Sequence, residues 1–179
     1  MTTIGGVVAT GAAVGVAASW VKALSERRLQ GLFEGLVHPT APEKELVGAD
    51  PAGHPDRMPP AEIADRVVRR VRGRGLSRQQ RVSVLNPVHY SFGAALGLAY
   101  VVAARRLPSV TRGMGVPAGL AIYASTHASA LPILRIQKPP WKLPVSAVLW
   151  EGTSHVLFGL ALEGFRHAFV GPSGAVAAS

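Results

Sequence analysis

The chain has 179 residues, 48% of them hydrophobic and only 16% charged, against roughly 25% charged in soluble domains. Nineteen Lys and Arg against ten Asp and Glu leave a net charge of +9, and the charges are segregated: eight of the ten acidic residues lie within 26–65. There is no cysteine, which excludes disulfides, thiolate metal sites and cysteine nucleophiles.

The first apolar run, residues 4–23, carries no charge before Lys22 and holds Trp20 near its end. Twenty residues rise about 30 Å as a helix, the thickness of a hydrocarbon core. A signal peptide is the competing reading, since residues 14–19 are small. The absence of Lys or Arg ahead of the run argues against it. Residues 24–86 are polar, with Pro and Gly scattered through them. Leu29, Leu32, Phe33 and Leu36 share one helical face, which either extends the first helix or lies at the interface. Residues 39–60 read as an extended loop. Pro60 then opens a short helix at a favoured first-turn position. Ile63, Val67 and Val71 line one side of it, and Arg66, Arg69, Arg70, Arg72 and Arg74 crowd the rest. A basic amphipathic helix suits an anionic membrane surface, and it equally suits a solvated helix that enforces topology.

Three more spans follow, at 87–104, 113–134 and 144–165. Arg105, Arg106 and Pro108 close the second. Pro139-Pro140-Trp141 makes a stiff turn after the third, and Trp20, Trp141 and Trp150 fit anchoring at or near the interface. The tail, 171–179, is small and expected to be mobile. The prediction is an all-α integral membrane bundle of about four transmembrane helices, a single domain over 1–170. A basic cytoplasmic loop at 24–86 contains short amphipathic helices. The loops at 22–81 and 135–142 hold fifteen of the nineteen Lys and Arg. Basic loops stay in the cytoplasm, so both termini are expected outside it. Topology thus accounts for a net charge that would suggest nucleic acid in a soluble protein, and nucleic acid is not an expected partner.

Glycines recur at four-residue spacing: Gly11 and Gly15, Gly93 and Gly97, Gly115 and Gly119. In lipid, such pairs permit close backbone packing. They serve either the bundle itself or contact with a second copy or a membrane-complex partner. The lipid bilayer is the one partner the composition requires.

Ionisable groups at membrane depth are costly and face a bundle interior or a cavity. Four stand out: His89, His127, Glu151 and His155. His127 lies seven residues before the end of its span, and Glu151 seven after the start of the next, so both sit roughly 10 Å deep from the same side. His155 is one turn beyond Glu151 on the same face. Such groups can bind a divalent metal, relay protons or hold haem axially. They can equally form a structural network in which Glu151 and a histidine satisfy each other. His38 and His54 read as solvated, and His167 as interfacial. No soluble-enzyme motif occurs, so an enzyme is not the expectation.

His89-Tyr90-Ser91-Phe92, Gly97, Tyr100 and Pro108 resemble the second span of YagU-like bacterial inner-membrane proteins. Gly113, Gly119, His127, Pro132, Pro140-Trp141, Glu151 and Ser154-His155 continue the pattern, as do Arg57 and Pro59-Pro60 in the first loop. The resemblance spans roughly residues 11–166. It departs in the first loop, where basic residues are more numerous. It implies a bacterial inner-membrane protein of undefined activity with a link to acid or envelope stress, and no defined cofactor. It also implies that His89, His127, Glu151 and His155 form one site.

Overall fold

The computed structural model describes residues 3–170, and every regular element in that stretch is helical. In chain order these are α1 (Ile4–Val37), α2 (Ala41–Val47), α3 (Pro59–Arg72), α4 (Arg78–Arg106), α5 (Val116–Ser125), α6 (Leu131–Ile133) and α7 (Val145–Val170). A π turn at Thr126–Ala130 joins α5 to α6, and short 3-10 turns sit at Pro55–Arg57, Pro108–Gly115 and Pro140–Lys142. The tail at 171–179 lies outside the described residues. Helices α1, α4 and α7 are long and apolar enough to cross a membrane.

The segment expected as the third span, 113–134, is built from several helical pieces. At its start Arg112 is extended and Gly113, Met114 and Gly115 take positive φ. Farther on, the π turn interrupts the α-helix. From Val116 to Ile133 the backbone nevertheless stays helical without a gap.

The region read as a polar loop is also more structured than expected. Helix α1 continues past residue 23 to Val37, where His38, held at φ 47° ahead of Pro39, ends it. Leu29 and Phe33 of the anticipated apolar face pack inward, while Leu32 and Leu36 stay exposed. Within 39–60, expected to be extended, α2 forms behind Thr40, whose N–H and hydroxyl both donate to the Glu43 carboxylate. Helix α4 begins nine residues before Pro87. Ser77 and Gln80 cap it reciprocally, each side chain accepting from the other's backbone N–H at 2.9 and 3.3 Å.

The chain divides into two compact units whose boundaries fall within the helices. The first comprises Met1–Leu24, Tyr90–Ile122 and Ser154–Ser179. Its core is Val14, Ala18, Tyr100, Val101, Phe158 and Leu162. Glycine sets its helix spacing. A Cβ on Gly97 would run into the backbone of Gly15, and one on Gly119 into the carbonyl of His155. The glycine pairs at 11/15, 93/97 and 115/119 therefore face the chain's own helices and permit close packing within the fold.

The second unit comprises Ser25–His89 and Tyr123–Thr153. Leu143, Ala147 and Trp150 form its core with Leu29, Phe33 and Val47. Of the three tryptophans expected as anchors, Trp150 is 2% exposed and packed in this core, whereas Trp141 is 75% exposed and Trp20 is exposed. Polar ties hold the loop to α1: Arg27 donates to the Pro51 carbonyl, Gln30 to the Asp50 carboxylate, and Lys44 pairs with Glu34.

Candidate functional site

The second unit brings together His127, Glu151 and a residue that sequence reasoning passed over, Gln137. His127 sits in the π turn. There Ser129 donates its hydroxyl to the Ala124 carbonyl at 2.8 Å, satisfying a group that the wider turn releases. π turns inside α-helices concentrate at functional sites because the extra residue re-aims a side chain. Tyr123, one turn earlier, stacks its ring on the imidazole with centroids 5.7 Å apart. After α6 the chain reverses through Arg135 at φ 55°, and the Leu131 carbonyl accepts from Ile136 N–H at 2.9 Å. The reversal is held from outside by Arg66 of α3, which donates to the carbonyls of Leu134 and Arg135 at 2.5 and 2.7 Å. A guanidinium on terminal carbonyls is a C-terminal cap.

This corner places Gln137, itself buried, between the other two residues. Its Nε2 donates to both carboxylate oxygens of Glu151, at 2.8 and 3.0 Å. Its Oε1 accepts from His127 Nδ1 at 2.8 Å. That nitrogen also stands 3.3 Å from Glu151 Oε2. With the amide in this orientation Nδ1 carries the hydrogen, and Nε2 is where neutral His127 takes up a proton. Glu151 is 2% exposed, so its charge is solvated by these groups rather than by bulk water.

His89 is half-buried on α4 in the same unit, and His155 is buried in the first unit. Among the described residues no three His, Cys, Asp or Glu side chains stand together as metal ligands. Of the four residues expected to converge, His127 and Glu151 stand together, bridged by an amide. Gln137 escaped notice because it is neutral and lies in the turn before Pro139-Pro140-Trp141. Its position among charged loop residues was the only signal.

The five arginines expected at the membrane surface divide. Arg66 is committed to the α6 corner, and Arg69 pairs with buried Asp65 at 3.0 Å. Arg70, Arg72 and Arg74 are exposed. Asp65 organises this helix: it accepts from Leu76 N–H at 2.5 Å and from Arg81 at 2.6 Å. Burial pushes its carboxyl up, but the hydrogen bonds from Arg69 and Leu76 and the charge of Arg81 outweigh that and hold it below the usual carboxylate range. With the polar residue Asp65 facing inward, Ile63, Val67 and Val71 point outward, the last two 58% and 79% exposed.

A second buried carboxylate, unremarked in the sequence, lies in the first unit. Glu163 accepts from the Tyr100 hydroxyl at 2.7 Å and takes a forked pair from Arg166 at 2.7 and 2.8 Å. His167, read as interfacial, is exposed on its outer side and stands 3.0 Å from the same carboxylate. Fork geometry and burial of both charges make this a fixed ion pair.

No curated protein and no solved structure matches the chain. Residues 51–164, which include His127, Gln137 and Glu151, match the family described as Protein of unknown function (DUF1440). The match covers more than half of the sequence, and three apolar helices accompany it: the chain belongs to this family, and its helices fit a membrane protein of unknown activity.

Proposed function

We propose that this is a multi-pass protein of the bacterial inner membrane whose His127–Gln137–Glu151 cluster responds to protons. The observation that carries the reading is a buried carboxylate held by an amide and an imidazole, with His127 Nδ1 3.3 Å from Glu151 Oε2. A proton arriving at His127 Nε2 turns a neutral hydrogen-bond donor into a cation beside Glu151. Their attraction is far stronger away from bulk water. Ring and carboxylate then draw together, and Gln137 must give up part of its hold on one of them. Gln137 directly follows the α6 reversal, so this exchange moves the 131–137 corner.

The helical stretch from Val116 to Ile133 serves as a fourth span: eighteen residues rise about 27 Å, close to the hydrocarbon thickness. An even number of spans leaves both termini on one side, and the Lys and Arg distribution supports that side being outside the cytoplasm. The outward stripe of α3, flanked by Arg70, Arg72 and Arg74, supports contact with an anionic lipid surface. The YagU-like resemblance adds a role in acid or envelope stress.

The test compares His127→Ala and Glu151→Gln with wild type. Both are expected to abolish survival at acid pH while insertion and abundance stay unchanged. In solubilised protein, hydrogen exchange at the 131–137 corner is expected to change on acidification in wild type and to lose that change in His127→Ala. Wild-type survival in both variants together with a corner whose exchange does not respond to acid overturns the reading.

A further inference from the structure

The second unit contains a cavity of about 330 Å³ between the end of α2, the start of α3, the start of α4 and the segment after α6. Its wall includes Arg57, Glu62, Arg81 and Gln137. The charges of this wall do not cancel. Glu62 is already claimed twice, by Arg66 at 3.1 Å and by Arg81 at 2.8 Å. Arg81 turns its other nitrogen to Asp65, which Arg69 also reaches. Two carboxylates are thus shared among three guanidiniums. Arg57 is a fourth guanidinium, and among the described residues it has no acidic partner. The group carries two positive charges in excess, and the unpaired one lies at the cavity.

We infer that this cavity is a binding site for a phosphate group, with Arg57 as its principal contact. A guanidinium presents paired N–H donors that match phosphate oxygens, and a phosphate group supplies negative charge to set against the surplus of the wall and of the ion pairs behind it. The volume is at the lower end of small-ligand sites, larger than inorganic phosphate requires and suited to a phosphate on a glycerol-sized body. Two sources supply that chemistry, a soluble phosphate ester and the headgroup of an anionic lipid. An occupant touches Gln137, the residue that spans His127 and Glu151. The site does not depend on the proton-responsive reading, since its charge balance involves neither of those two side chains.

The experiment uses the full chain in mild detergent. One arm measures sn-glycerol 3-phosphate binding by calorimetry. The other measures retention of phosphatidylglycerol over phosphatidylcholine by native mass spectrometry. Binding in either arm is expected, and the arm that responds identifies the source. Arg57→Gln is expected to weaken that binding about tenfold or more with the unfolding temperature unchanged, since this side chain makes no ion pair. Arg28→Gln, at an exposed arginine on α1 outside both the cavity wall and the α3 stripe, is expected to leave binding intact. No binding in either arm overturns the proposal. So does Arg57→Gln behaving as wild type, or Arg28→Gln losing as much as Arg57→Gln, which would reduce the effect to overall charge.

Discussion

Gln137 donates to both carboxylate oxygens of Glu151, at 2.8 and 3.0 Å, although fourteen residues and a reversal of the chain separate them. A charged carboxylate that is 2% exposed takes its solvation from an amide, and the same amide accepts from His127. The three side chains form one network: moving any of them leaves a buried polar atom of another to be re-satisfied.

Removing the bridge is therefore expected to cost more than one hydrogen bond. Gln137→Leu preserves approximate volume but withdraws donors from Glu151 and an acceptor from His127. A lost partner to a buried charged group costs about 1–3 kcal/mol, which sets the expected destabilisation. Chemical unfolding in detergent, followed at Trp150 in the adjoining core, measures it. Glu151→Gln in the Gln137→Leu background should recover part of the loss, because it removes the charge left without its donors. A double variant no more stable than Gln137→Leu would show that Glu151 finds other donors.

The first unit makes a different demand. Gly97 and Gly15 leave no room for a methyl group between α4 and α1, since a Cβ on Gly97 overlaps Gly15 backbone atoms. Gly97→Ala is expected to destabilise by about 1–3 kcal/mol through forced separation of the helices. Gly164→Ala in α7, where nothing lies within 4 Å of the added carbon, is expected to be neutral or to stabilise by up to about 1 kcal/mol through helix propensity. Opposite signs in a thermal-unfolding comparison distinguish tight packing from a general effect of adding methyl groups.

Much of this architecture is written in residue patterns. Apolar runs without charge locate α1, α4 and α7, and the four-residue spacing of Gly11 and Gly15 and of Gly93 and Gly97 predicts close approach, because lipid leaves backbone contact as the main packing device. His127 and Glu151 stand out in the sequence as ionisable groups in apolar runs, and the fold brings them within 3.3 Å of each other. What stayed hidden depends on geometry rather than pattern. Nothing in Thr126–Ala130 announces a π turn, and Gln137 is neutral, so a search for ionisable groups passes it by. Asp65 looks like one more loop charge until the turn at 73–76 brings Leu76 N–H onto it. The helices in the first loop were legible in part: Thr40-x-x-Glu43 and Ser77-x-x-Gln80 are capping boxes, and prolines and charges nearby obscured them.

Asp65 makes the fold of α3 depend on acidity. Its carboxyl titrates below its ordinary value of 3.8 in the folded chain. A carboxylate with a lowered folded value contributes stability that is complete above the unfolded value and is lost as pH falls through the folded one. Nothing should therefore change between neutral pH and about pH 5, and the α3–α4 turn should loosen only below 3.8. The Leu76 amide reports this directly, since its N–H donates to Asp65 Oδ1. Its hydrogen-exchange protection, corrected for intrinsic rate, is expected to fall about tenfold or more across that acid window. In Asp65→Asn protection should already be low at neutral pH, because the neutral amide no longer neutralises Arg69 and Arg81, and it should show no further acid step. A step that persists in Asp65→Asn would assign the acid sensitivity to another group and remove Asp65 as its cause.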